Sequence, residues 1–120
     1  MFSAMKFDSF TVALLLLRSD APKISEEDEN RLQDAHMGYL AKLHEDGHLL
    51  AAGPILGSAD RGLRGLSIFR GSPEEVKMLA DQDPGVREGR YMHEFFPWIV
   101  PGGAVTFSRT RFPRSMSEVQ

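Results

Sequence analysis

The sequence predicts an α+β, ferredoxin-like fold of order β-α-β-β-α-β, a four-stranded antiparallel sheet with two helices on one face. Three observations lead there. Residues 10–17, FTVALLLL, are apolar on both alternating sets, as in a strand covered on both sides. Two helix starts carry a capping serine followed by acids, Ser25-Glu26-Glu27-Asp28 and Ser72-Pro73-Glu74-Glu75. Three further short apolar segments bounded by glycine or proline lie two before the second helix and one after it.

The first strand, 10–17, is central in the sheet because neither of its faces is polar. A polar connection containing Pro22 leads to Ser25, an N-cap whose following acids favour the positive end of a helix dipole. The first helix then runs to about Asp46, where Gly47 supplies the left-handed residue that reverses the chain. His48 to Ala52 form the second strand, Gly53-Pro54 turn it, and residues 55–63 are a loop of glycine and small polar residues. Residues 64–70, RGLSIFR, alternate as a third strand.

Pro73 at the first helical position opens the second helix, which buries Val76, Leu79 and Ala80. Pro84 ends it, since a residue before proline is pushed out of the α region, and Val86 to Gly89 add a helical turn. Residues 90–98, RYMHEFFPW, make the fourth strand, with Pro97 marking an edge or a strand end. Residues 1–100 thus form the domain and 101–120 a C-terminal extension. Ala104 to Ser108 suit a further strand, one that could pair with a partner chain, and disorder is expected from Ser115 onward. The extension carries Arg109, Arg111 and Arg114 and no lysine, which fits a solvated segment better than an anion site.

The bulk properties are those of an ordinary globular protein. In 120 residues, 42% are hydrophobic and 26% charged, enough for one domain with a real core. A net charge of -3 gives no electrostatic reason to expect nucleic acid or an anionic membrane as partner. Without cysteine there is no disulfide, thiolate nucleophile or thiolate-held metal, and a cytoplasmic location is expected. The run ending at Leu17 is too short to span a bilayer, and its flanks, Asp8 and Arg18-Ser19-Asp20, do not suit a cleaved leader.

The informative stretch is Asp34 to Pro54. At about 100° per position, Leu32, Ala35, Tyr39, Leu40 and Leu43 fall in one apolar arc, and His36 lies near its centre. Ala41 and His44 fall at the margin or beyond it. A titratable ring aimed at the interior is either a packed histidine or a general acid/base, which needs a third group to fix its tautomer. Asp83, at the sharp exit of the second helix, is the best candidate, with Asp81 a competitor at the same corner. On the last strand His93 is read as facing a dimer interface in preference to a pocket.

Two literal motif matches carry little. His44-Glu45-Asp46-Gly47-His48 reads as HExxH, but Gly47 ends the helix, so the two rings diverge and no zinc site is expected. The glycines of 57–65 form no phosphate loop, and no cofactor is expected.

The stretches HMGYLAKLHEDGHLLAAGP and ADQDPGVREGRYMHEFFPW resemble the YCII-related (YciI-like) family over roughly residues 10–98. The marks are His36, the run from Gly47 to Pro54, Asp83-Pro84 with Gly89 beyond, and the aromatic close at Pro97-Trp98. The resemblance implies a ferredoxin-like domain assembling as a dimeric α/β barrel, with a histidine–aspartate site that maps onto His36 and Asp83. Some relatives are dehydrochlorinases of hydroxylated, chlorinated rings. The chain departs from the pattern at Gly85, where an aromatic residue often stands, and at Gln33, where a basic one does.

The expected function is a small cofactor-independent enzyme, a lyase or isomerase acting on an enolic or phenolic small molecule. His36 shuttles the proton, Asp83 orients it, and Tyr39, Tyr91, Gly53 and Pro54 shape the pocket, with backbone amides of that turn polarising an oxygen. The alternative is a dimeric binding or regulatory module without catalysis. A homodimer is expected in either case, because two helices leave one apolar face of the sheet uncovered.

Overall fold

The computed structural model describes residues 5–57 and 62–119. Its elements are β1 (Phe7–Leu17), α1 (Glu26–Glu45), β2 (Leu49–Pro54), β3 (Leu63–Phe69), α2 (Pro73–Ala80), α3 (Pro84–Arg87) and β4 (Tyr91–Pro101), with a 3-10 turn at Met116–Glu118. The strands form one antiparallel sheet in the order β2-β3-β1-β4. This is the ferredoxin-like arrangement, with β1 central. Part of the loop expected over 55–63 lies outside the described residues.

Register separates the two faces. Thr11 pairs with Phe69 and Pro97, and Ala13 with Ser67 and Phe95, so these side chains share the helix face. There Ala13, Leu49 and Phe69 meet Leu43 of α1 and Val76 and Ala80 of α2 in one buried cluster. Thr11 is fully buried, and its hydroxyl donates to the Gly71 carbonyl at 2.7 Å, which satisfies the polar atom in the core. Val12, Leu14 and Leu16, opposite Ile68, Leu66 and Met92, line the other face. There the apolar side chains stay half-buried, while Met92 and Phe96 are exposed.

Local chemistry sets the element ends. Ser25 and Ser72 accept the backbone N–H three residues on, at 3.1 and 3.3 Å, as N-caps should. Gly47 takes φ 87°, the left-handed value that a chain reversal after α1 requires. Pro84 opens α3 over Pro84–Arg87, two residues earlier than the expected helical turn. β2 continues through Gly53 and Pro54, which are its last two residues and not a turn. Pro97 sits inside β4, tolerated because β4 is an edge strand paired with β1 alone.

Ala104 to Ser108 pair with no strand among the described residues, and the segment from Ser115 holds a 3-10 turn. Phe107 packs edge-on against Phe10 at 5.3 Å between ring centres, at the start of β1. The chain then reaches the C-terminal end of α1, where Arg109 donates to the Glu45 carbonyl at 2.9 Å. It climbs back along the helix past Gly38 to Asp34, whose carboxylate accepts the Met116 N–H at 2.8 Å. Asp34, Gly38, Ala41 and Glu45, spaced four, three and four apart, form a second stripe of α1. That stripe explains why Ala41 and His44, outside the first apolar arc, are buried.

No helix among the described residues is long and apolar enough to cross a membrane.

Candidate active site

His36 sits midway along α1 and points inward because the helical period places it among Leu32, Tyr39 and Leu43. Its Nδ1 lies 2.6 Å from Oδ1 of Asp83. Asp83 reaches it because α2 stops at Ala80 and the proline at 84 forces residue 83 into an extended conformation, φ -54° and ψ 134°. The other carboxylate oxygen, Oδ2, accepts the Gly85 N–H at 3.0 Å and caps α3. One buried side chain, 1% exposed, thereby closes the turn with one oxygen and holds the histidine with the other.

The consequence for His36 is directional. With Nδ1–H donating to the carboxylate, the lone pair lies on Nε2, which has no partner among the described residues. His36 also lines a cavity of about 450 Å³ between α1 and the sheet. An imidazole whose Nδ1 is held by a carboxylate and whose second nitrogen is unpartnered can take up a proton from a ligand in such a cavity.

Tyr91, at the start of β4, packs beside His36 with ring centres 6.2 Å apart. It is pressed against Gly85. A Cβ built at residue 85 would stand 2.5 Å from Tyr91 Cδ2 and 3.0 Å from Asp83 Oδ2. The departure at Gly85 therefore has a steric reason in this chain. Arg90 donates to the Tyr91 hydroxyl at 3.3 Å, which raises the guanidinium pKa, and reaches Glu29 of α1 at 2.7 Å.

Of the residues read as pocket-forming, Gly53, Pro54 and Tyr91 line the cavity with His36. Tyr39 does not. Its hydroxyl donates to the Leu79 carbonyl at 2.8 Å, tying α1 to α2, and burial pushes its pKa up. The amides expected to polarise an oxygen are not free at this strand end. Pro54 has no N–H, and that of Ile55 is spent on the Arg64 carbonyl at 3.0 Å.

His93 is the residue whose direction was misread. Pairing with Leu15 places it on the helix face, and it lines the cavity instead of an outer interface. Its Nδ1 lies 3.1 Å from Asp81 Oδ1, so Asp81, the competitor for His36, holds a second histidine. Lys77 pairs with the other oxygen of Asp81 at 2.6 Å. Burial lowers the His93 pKa, with the Asp81 carboxylate opposing that shift. The signal was available in the sequence: Tyr91, His93 and Phe95 alternate with Met92, Glu94 and Phe96, so the face chosen for Tyr91 is also that of His93.

His44 and His48 diverge as expected. His44 is buried with Nδ1 2.7 Å from the Leu49 carbonyl, while His48 is exposed. Among the described residues no group of three or more His, Asp or Glu is placed to hold a metal ion.

The model of the YCII-related domain matches residues 12–98 of the chain. No functionally curated protein matches it. Among solved structures, the chain is similar to the 5-chloro-2-hydroxyhydroquinone dehydrochlorinase of Burkholderia phenoliruptrix in complex with 2,5-dihydroxybenzoquinone. The two share 21% sequence identity with a TM-score of 0.54, over 74% of this chain and 92% of that one. At that identity the likeness speaks for the fold. The match also stops short of the C-terminal extension.

Proposed function

The chain belongs to the YCII-related domain family, and on that premise we propose that it is a proton-transfer enzyme acting on an enolic or phenolic ring. The observation that carries this reading is the 2.6 Å contact between His36 Nδ1 and Asp83 Oδ1, with the remaining histidine nitrogen left for the cavity. His36 takes a hydroxyl proton on Nε2, and Asp83 stabilises the imidazolium so formed.

The dehydrochlorinase likeness suggests one form of the reaction. Loss of the proton turns a ring hydroxyl into a carbonyl, and its electron pair moves through the ring to the carbon bearing chlorine, which takes up a proton. A second hydroxyl then loses its proton, and the pair from that bond expels chloride. The sum is one HCl lost and a quinone formed, with the carbon–chlorine bond reduced and the ring oxidised. A group that gives a proton to carbon is needed as well as one that takes it from oxygen. His36 after protonation serves for this, and His93, on the same cavity, is the second candidate.

The test is NMR titration of the His36 ring in the wild type and in Asp83→Asn, alongside chloride release from 5-chloro-2-hydroxyhydroquinone. Coupled titration that changes in the variant, with turnover that His36→Asn abolishes, is the expected result. A ring indifferent to Asp83 sinks the mechanism. Binding of the ring compound without turnover favours a binding module instead. We propose further that the protein works as a homodimer through the open sheet face, where Met92 and Phe96 are 41% and 47% exposed.

A further inference from the structure

The cavity that holds His36 is completed by residues beyond the family match. Phe112, Pro113, Met116 and Val119, all from the C-terminal extension, line it together with His36 and Tyr91. The match ends at residue 98. This wall is therefore a feature of the chain's own tail and not of the shared domain.

The tail is held in place by specific contacts with α1. The Phe112 ring stacks on His44 with centres 4.0 Å apart and planes 11° from parallel. His44 gives Nδ1–H to the Leu49 carbonyl at 2.7 Å and accepts the Thr110 N–H on Nε2 at 3.1 Å. Both ring nitrogens are thus spent on positioning, one on β2 and one on the tail. Beyond it, Arg114 pairs with Glu45, and the Met116 N–H is taken by Asp34 at 2.8 Å. Glu118 folds back onto Arg111 and the Arg114 N–H, which closes the last turn.

Size and chemistry of the space then point to the ligand. An apolar cavity of about 150 Å³ is enough to hold benzene. The cavity here is about 450 Å³, so one ring leaves most of it unfilled. The tail offers that remaining space an aromatic ring, a proline and two aliphatic side chains, with Met37 and Leu40 of α1 beside them. Met116 and Val119 are 51% and 48% exposed, which puts them at the mouth and not in the core.

We propose that the C-terminal segment from Thr110 to Val119 determines specificity: it selects an enolic or phenolic ring that carries an apolar alkyl or aryl substituent. The ring hydroxyl faces His36, and the substituent lies against Phe112, Met116 and Val119. The proposal rests on the reading of His36 as the group that meets the substrate.

The test compares resorcinol with 4-hexylresorcinol by isothermal titration calorimetry, on the full-length chain and on Met116→Gln/Val119→Thr. Burial of a hexyl chain predicts that the wild type binds 4-hexylresorcinol at least about tenfold more tightly than resorcinol. The double substitution should cut that ratio by about threefold or more. His44→Phe keeps a ring for Phe112 to stack on but loses both hydrogen bonds, and should lower the ratio in the same direction. Equal affinities in the wild type, a ratio that survives the substitutions, or no binding of either probe overturns the proposal. Chemical shifts of the His36 ring, followed in the same titrations, separate the two readings. A ratio that depends on the tail with no movement of His36 supports the specificity wall and sinks the role given to His36.

Discussion

Nδ1 of His36 and Oδ1 of Asp83 meet at 2.6 Å although the two residues stand 47 positions apart in sequence. The contact exists because a helix period aims one side chain inward and an Asp-Pro helix exit delivers the other. Neither residue is held by the pair alone: Asp83 is also fixed by Gly85 N–H and His36 by its place in the buried face of α1.

Asp83→Asn tests what the carboxylate does. The amide oxygen can still accept from Gly85 N–H, which turns the NH2 group toward His36. Nδ1 must then accept, and the proton moves to Nε2, the nitrogen that should be the base. Turnover should fall by at least about a hundredfold while the fold persists, as read by rate assay and circular dichroism. Unchanged turnover would remove Asp83 from the mechanism.

Gly85→Ala tests the steric account of the departure at that position. The new Cβ would stand 2.5 Å from the Tyr91 ring, closer than packed atoms come, so Tyr91 or the backbone must shift. Such overpacking costs about 1–3 kcal/mol, to be read as a lower urea midpoint, and the displaced Tyr91 should change the His36 ring shifts too. A variant as stable as the wild type would show that the ring moves freely.

Much of this geometry was legible in the sequence, and the misses share a cause. The apolar arc of Leu32, Tyr39, Leu40 and Leu43 located His36, and the Ser-capped helix starts and the Asp-Pro exit fixed the element order that brings Asp83 to it. These signals are local and periodic. Tyr39 was misassigned because the arc says inward without saying whether inward means cavity or core, and its hydroxyl chose the Leu79 carbonyl. Burial of Ala41 and His44 depends on a tail segment without periodicity, whose docking on α1 is a tertiary fact. His93 is the exception, since strand alternation puts it on the face of Tyr91, and the register of β4 against β1 agrees.

His93 should make the protein sensitive to acid. Burial lowers its pKa in the folded protein, so between the unfolded value, about 6.5, and the lower folded one the unfolded chain binds more protons. Stability then rises with pH across that window and is lost progressively as pH falls below about 6.5. Urea midpoints measured from pH 7.5 downward should show this slope, and His93→Gln should flatten the part that His93 contributes. A slope of the opposite sign would mean that Asp81 outweighs burial.

The last prediction concerns the open sheet face. Val12, Leu14 and Leu16 stand opposite Ile68, Leu66 and Met92, an apolar surface that the helices on the other side cannot reach. A second copy packed face to face would cover it, and in a two-fold interface each substitution acts twice. Leu14 pairs with Leu66 on one side and Glu94 on the other, at the middle of this surface, and is half-buried within the single chain. Leu14→Lys would place two like charges in one apolar contact. The wild type should sediment with twice the mass of the chain, and the variant as a single chain at the same micromolar concentration. A wild type that remains monomeric at high concentration would refute the dimer and leave Phe96 and Met92 as exposed surface.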